Sequence, residues 1–384
     1  MNEKIAEKPG VAAARVFPHA MLREIYEQPQ VLAETIEHYL PGGKLNTDAF
    51  SAVPDVFRSR ERLVIAASGS SRHAGLAGEI MLEDYAGLAV DVEYASEYCY
   101  RSTHTLQDPG VLVISQSGET ADTLAALREA KSRGLTTAAI TNNAGSSMAR
   151  EADSSLPTLA GKEKAIPATK SFTTQLSVLY LLTLYVARLG GRMTGQAVSA
   201  HLEQLNRLPG LLETSLGRWE EQIGAIAEAL KSAKQFLYLG RAVHYAIARE
   251  GALKLKESAY VQAEGYPVGE LKHGPNALVN ESAPLMVLAT RDDSDPDSVL
   301  RYEKTLQLMR DMKAQGATIF SIVTEGDDEA AKLSRHSVAV PAVDEFLLTM
   351  LEVVPLQMFA YFTALLHGVN VDAPRNLVKA VVTE

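Results

Sequence analysis

The sequence predicts an α/β protein: two doubly wound parallel-sheet domains in tandem, with an N-terminal helical segment and a C-terminal tail. Three observations carry this. Short apolar, strand-like runs alternate with helix-length apolar patterns, as parallel strands covered by helices on both faces require. The alternation occurs twice, at an offset of roughly 175 residues, a domain-sized duplication. The 384 residues suffice for two such domains, and 46% hydrophobic with 22% charged residues belongs to a globular chain rather than a disordered one.

In order along the chain, residues 1 to about 17 read as a loose lead-in. HAMLREIYEQPQVLAETIEHYL (19–40) has helical apolar spacing, and Pro29, lacking an N–H, predicts a division into two helices. RLVIAASGSSRHAGLAGE (62–79) reads as a buried strand, a small-residue turn and a helix; QFLYLGRAVHYAIAREGALKL (235–255) reads the same way. GVLVISQSGET (110–120) has its counterpart in PLMVLATRDD (284–293), and LTTAAITNNAGSSMAREAD (135–153) in ATIFSIVTEGDDEAAKLSRH (317–336). A long apolar helix closes each copy, at 173–189 and 350–366. The polar helical stretch at about 192–225 is expected to be a connector along the outside. The expected boundaries are 1–55 (helical segment), 56–195 (first domain), 196–224 (connector), 225–370 (second domain) and 371–384 (tail).

Composition excludes several classes. A formal net charge of −10 argues against non-specific binding to nucleic acid or an anionic membrane surface. The one cysteine, Cys99, rules out an intrachain disulfide framework and cysteine-rich zinc motifs, and reads as a packing thiol. No uninterrupted apolar stretch is read as spanning a bilayer, and MNEKIAEKPG is not followed by a signal core, so a cytoplasmic protein is expected. The nine histidines are scattered and none forms an HExxH pair, so no metal and no cofactor is expected.

The chemistry concentrates in loops. In doubly wound sheets ligands bind beyond the carboxyl ends of the strands, where helix N-termini offer unpaired N–H groups to an anion. SQSGET places Ser115, Gln116, Ser117 and Thr120 there, and SGSS places Ser68, Ser70 and Ser71. The plain alternative is helix N-capping; two hydroxyl-rich loops in one domain favour a shared phosphate. Neither a Walker motif nor G-x-G-x-x-G follows a strand, and SQSGET holds no lysine or arginine, so a monophosphate cradle is expected rather than a nucleotide site. The second copy is expected to have lost the hydroxyl cluster at its matching turns, LGRAVH and ATRDD. It carries instead EGALKLKESAYVQAEGYPVGELKHGPNAL (250–278). There Lys254 and Glu257 share a helix face, which a simple ion pair would also explain, and His273 stands in a turn before Gly-Pro, where a surface residue is equally natural.

SQSGETADT, the SGSS turn, ATKSFTTQL (168–176), ALKLKESAY (252–260), GELKHGP (269–275) and DAPRNLVKAVVTE (372–384) together resemble the sugar-isomerase (SIS) family, specifically the isomerase half of glucosamine-6-phosphate synthase, from about residue 60 to the C-terminus. The resemblance implies two SIS domains, aldose–ketose phosphosugar chemistry, and a homodimer with sites at the subunit interface. It implies phosphate binding by Ser70, Ser115, Gln116, Ser117 and Thr120, and a sugar pocket lined by Ser71, Ile166 and Ala168. Glu257 would move the proton between C1 and C2, His273 from the partner subunit would open the ring, Lys379 would form an imine with the ketose, and Lys254 would support the enediol-like state. Two departures are visible: the family's Cys-Gly-Thr-Ser turn is Ser68-Gly69-Ser70-Ser71 here, and Pro167 replaces a small residue.

About 60 residues precede the first domain, with Asn2 after Met1, and they are expected to hold neither a glutaminase domain nor its cysteine. The expectation is therefore the reverse reaction, glucosamine 6-phosphate and water giving fructose 6-phosphate and ammonia. Alternatives are a galactosamine or tagatose 6-phosphate enzyme, a deglycase for fructose-amine phosphates, a synthase using free ammonia, and a non-catalytic sugar-phosphate sensor. The expected partner is thus a phosphorylated amino sugar or ketose, with neither nucleic acid nor membrane.

Overall fold

The computed structural model describes residues 15–50, 53, 62–101 and 109–383; most of the expected N-terminal lead-in lies outside these. Helix α1 (Ala20–Tyr39) packs on α4 (Lys170–Leu189), which belongs to the half with the first of two five-stranded sheets, and on α5 (Gly195–Leu230), which reaches the second. Pro29 does not divide it. The missing N–H frees the Ile25 carbonyl, and the Gln28 side chain donates to that oxygen at 3.1 Å, so the buried helix runs on. Gln28 also donates to Gln357 Oε1 at 2.9 Å, which ties the segment to the far end of the chain.

The first sheet contains β1 (Arg62–Ala67), β2 (Ala89–Tyr94), β3 (Gly110–Ser115), β4 (Thr137–Thr141) and β5 (Ser154–Pro157), all parallel, in the order β2-β1-β3-β4-β5. The second repeats it with β6 (Gln235–Gly240), β7 (Gln262–Pro267), β8 (Leu285–Ala289), β9 (Ile319–Thr324) and β10 (His336–Val340), in the order β7-β6-β8-β9-β10. The duplicated order agrees with the sequence offset. The central strands are buried along their length because helices cover both faces: α2 (Gly69–Met81) and α3 (Ala121–Ser132) in the first sheet's half, α6 (Val243–Ala259) and α7 (Pro296–Ala314) in the second.

The apolar helices α4 and α8 (Glu345–Leu366) are long and apolar enough to cross a membrane, which the sequence reading did not credit; their apolar windows are buried inside the protein instead. With α1, α2, α5 and α6 they merge the two halves into one continuous core. The polar connector α5 is an outer layer with an apolar inner face. Its Trp219 is fully buried, and the indole N–H donates to Ala339 O at 2.8 Å on β10.

Candidate functional site

Each sheet has a switch point, where connections leave the central strands in opposite directions and the strand ends open a crevice. In the first sheet it lies between β1 and β3. The register pairs Ala67 with Ile114, so the next residues, Ser68 and Ser115, emerge side by side. Gly69 follows at φ +54° and Gly118 at φ +66°, conformations that glycine adopts without strain. Gly118 is doubly required, since a Cβ there would collide with Ser146 Oγ.

The hydroxyls around this crevice are not capping devices. Ser68 and Thr120 occupy the N-cap positions of α2 and α3, yet neither makes a side-chain cap, whereas Ser146 and Thr194 elsewhere do. Ser115 Oγ lies 2.9 Å from Thr120 Oγ1 and 3.4 Å from Ser117 Oγ, and Gly118 N donates to Ser115 Oγ at 3.2 Å. Three hydroxyls thus form a cluster facing a common space. The first N–H of α3, from Ala121, donates to Val381 O at 2.9 Å, so the C-terminal tail closes one side.

That space is a cavity of about 270 Å³, and helix α6 forms its opposite wall. Lys254 is 1% exposed, its Nζ 2.5 Å from Glu257 Oε2 and 3.4 Å from Glu250 Oε1. Burial would lower the Lys254 pKa, but the two carboxylates outweigh it and push the value well up, so the ammonium is charged. Glu250 is fully buried; desolvation opposes its charge, while Lys254 and His73, whose Nδ1 is 2.8 Å away, bring its pKa below the usual carboxylate range. Glu257, one helical turn on, is the partly exposed carboxylate of the group and faces the cavity.

The tail supplies the third wall through Leu377–Val381. Lys379 Nζ donates to Glu163 Oε2 at 2.5 Å and to Ala165 O at 2.8 Å. Glu163 is buried and also accepts from Thr169 N, Ser171 N and Ser171 Oγ; burial would raise its pKa, and Lys379 with these donors lowers it on balance. Lys379 is therefore held at the cavity.

The structure brings eleven of the twelve expected residues to this one cavity: Ser70, Ser71, Ser115, Gln116, Ser117, Thr120, Ile166, Ala168, Lys254, Glu257 and Lys379. His273 does not line it within its own chain; it stands exposed at the end of the 3₁₀ turn Val268–His273. Glu163, Glu250 and Thr123 were not anticipated. Glu163 sits between Lys162 and Lys164 in a loop, a pattern indistinguishable in sequence from solvated charge. Among the described residues, no three His, Cys, Asp or Glu side chains gather as a metal site.

The second sheet's crevice is filled. His244 lies between Glu352 and Glu345, Thr290 bonds Glu352, and Arg301 pairs with Glu345. This buried, carboxylate-rich plug occupies the place where the first sheet presents hydroxyls.

The first sheet's switch point thus carries an open hydroxyl cradle, a buried lysine–carboxylate pair and a tethered lysine. The chain belongs to the SIS domain family, whose description matches residues 56–185 and 229–367. It is 40% identical over 370 residues to glutamine–fructose-6-phosphate aminotransferase (isomerizing) of Chlorobaculum tepidum, covering 96% of this chain and 59% of that protein. The Thermus thermophilus protein of the same description is 40% identical over 382 residues, with 99% and 60% covered. The chain therefore spans about 59–60% of the length of these relatives. Among solved structures it matches the C-terminal domain of glucosamine-fructose-6-phosphate aminotransferase from Francisella tularensis, with a TM-score of 0.87 and 35% identity over 93% of this chain and 98% of that one. Glucosamine-6-phosphate deaminase from Thermotoga maritima shares the fold, with a TM-score of 0.71 and 24% identity over 94% and 99% of the two chains.

Proposed function

We propose that this cavity binds a phosphorylated amino sugar and converts glucosamine 6-phosphate and water into fructose 6-phosphate and ammonia. The observation that carries the reading is convergence: uncapped hydroxyls, the Lys254–Glu257 pair and Lys379 face one space of monosaccharide size. The phosphate sits on Ser70, Ser115, Gln116, Ser117 and Thr120, against the hydroxyls and N–H groups of the first domain (56–195). Ser71, Ile166 and Ala168 line the sugar chain. His273, presented by a second copy of the chain in a homodimer, opens the ring.

Glu257 removes the proton from C2 of the open-chain aldose, giving an enolamine, and returns it to C1. The charged Lys254 faces the negative charge that develops on the C1 oxygen. The product is a C2 imine; Lys379, its proton passed to the adjoining Glu163 carboxylate, adds to that carbon and expels ammonia to form its own imine, and water releases fructose 6-phosphate and the free lysine, which regains the proton. Protons and atoms balance without an oxidant or a metal.

The test is to incubate the purified chain with glucosamine 6-phosphate and assay ammonia and fructose 6-phosphate together. Equimolar release supports the proposal. Silence with this sugar, alongside turnover of galactosamine 6-phosphate or a fructose-amine phosphate, overturns the substrate assignment. Glu257→Gln that binds the sugar phosphate and still turns it over at the native rate overturns the mechanism.

A further inference from the structure

Helix α1 lies outside both sheets, yet it grips the segment that holds Lys379. Glu24 is fully buried, with no exposed surface. Its carboxylate accepts from two successive backbone groups, Lys164 N at 2.5 Å and Ala165 N at 3.2 Å. The flanking groups of the same segment hold the lysine: Glu163 Oε2 and Ala165 O both accept from Lys379 Nζ. The next residue, Ile166, donates from its N–H to Asp372 O at 2.9 Å, at the root of the tail. Asp372 closes the circuit, its carboxylate accepting from Ala20 N and Met21 N at 2.8 Å each, the first turn of α1. Helix, loop and tail are thus tied pairwise around the base of the Lys379 side chain.

We propose that Glu24 is a positioning residue for Lys379, acting through the 163–166 segment, so that the N-terminal helix is part of the reaction machinery. This rests on the imine role given to Lys379 above. An ionised carboxylate accepts from both N–H groups, one on each oxygen; protonation turns one oxygen into an O–H, a poorer acceptor, and weakens that bond. Every charged neighbour bears on that balance. On α1, Arg23 Nη2 lies 3.7 Å from Glu24 Oε1, and Glu27 is engaged by Arg23 and by Lys170 of α4. From the loop Glu163 opposes the charge, and from the tail Lys379 favours it. Burial is the largest influence and brings Glu24 up to about 7, against the Lys164 N–H bond that lowers it. The grip therefore tightens as pH rises through neutrality.

The experiment is competitive acetylation with acetic anhydride of the full chain, without sugar. Labelling of Lys379 is read by mass spectrometry against Lys332, whose side chain is 79% exposed. In the native protein the Lys379/Lys332 ratio rises about threefold from pH 8 to pH 6 as the carboxylate is protonated and the segment loosens. In Glu24→Gln the ratio is high throughout and no longer changes with pH, while kcat falls about tenfold with KM within about twofold, as loss of alignment alone predicts. A native ratio that stays flat between pH 8 and pH 6 overturns the inference, and needs no variant to fold. A folded Glu24→Gln protein with native labelling overturns it equally. Because the labelling uses no substrate, a native chain that releases no ammonia defeats the proposed reaction without touching this result.

Discussion

Replacing Glu163 with glutamine keeps the shape of a buried side chain and removes its charge. In the native chain four donors converge on it: Lys379 Nζ at 2.5 Å, Thr169 N at 2.9 Å, Ser171 N at 3.2 Å and Ser171 Oγ at 2.7 Å. At 2.5 Å and an effective dielectric of about 20, the gross attraction to Lys379 is ~7 kcal/mol. Most of that is offset by desolvating both ions, and Lys379, with 26% of its side chain exposed, recovers water when released. The amide also turns an NH₂ toward a group that expected an acceptor. The expected net destabilisation is ~2–4 kcal/mol. For a chain of 384 residues melting as one unit this is ~3–5 °C in Tm. The pH dependence has a definite sign. The folded-state pKa of Glu163 is lowered, so its contribution is present above the unfolded carboxylate value of about 4.3 and is lost as pH falls through the lower folded value. Thermal unfolding of native and Glu163→Gln chains should show a gap at pH 7 that closes below about pH 4. No gap at pH 7, or one that widens in acid, would refute the claim that Glu163 is an ionised anchor for Lys379.

Other outcomes follow from the same geometry. Thr120→Val removes one hydroxyl of the cluster without touching a helix cap, so the KM for the sugar phosphate should rise about 10- to 100-fold, as loss of a hydrogen bond to a charged group implies, with Tm nearly unchanged; an unaltered KM would remove Thr120 from the phosphate site. Gly118→Ala puts a Cβ against Ser146 at φ +66°, and a destabilisation of ~2–4 kcal/mol in urea unfolding is expected; a neutral effect would show that the turn can rearrange. His244 is buried, which alone would lower its pKa, but Glu352 and Glu345 raise it to about 10. Its stabilisation is thus complete below the unfolded value near 6.5 and is lost as pH rises from there through 10, at most about 5 kcal/mol, so urea midpoints should fall between about pH 6.5 and 10, and fall less in that range for His244→Leu.

How far the sequence could be read depended on what each residue does locally. β1, β3, β4, β6, β8 and β9 are visible as apolar runs because they are buried on both faces. The edge strands are not: AVDVEY of β2 and QAEGYP of β7 are half-solvated and interrupted by charge, glycine or proline, so they carry no period that distinguishes them from loop. Pro29 misled for a related reason, since the rule that proline ends a helix assumes an unsatisfied carbonyl, and Gln28 supplies the missing donor. The SQSGET and SGSS turns were legible as hydroxyl-rich strand ends, but whether their hydroxyls cap a helix or face a cavity is set by rotamer and neighbours, which only the folded chain decides.

The sequence by itself determined the duplicated α/β architecture and the types of residue at the strand ends, because hydrophobic period and turn chemistry are local properties. Tertiary structure alone decided which of those residues share a space. Lys379 lies 216 positions from Glu163, and Glu24 lies 140 from Lys164. No local pattern encodes such pairings; they exist because the packed helices and the returning tail bring isolated charges into one dry, low-dielectric place where each must find a partner.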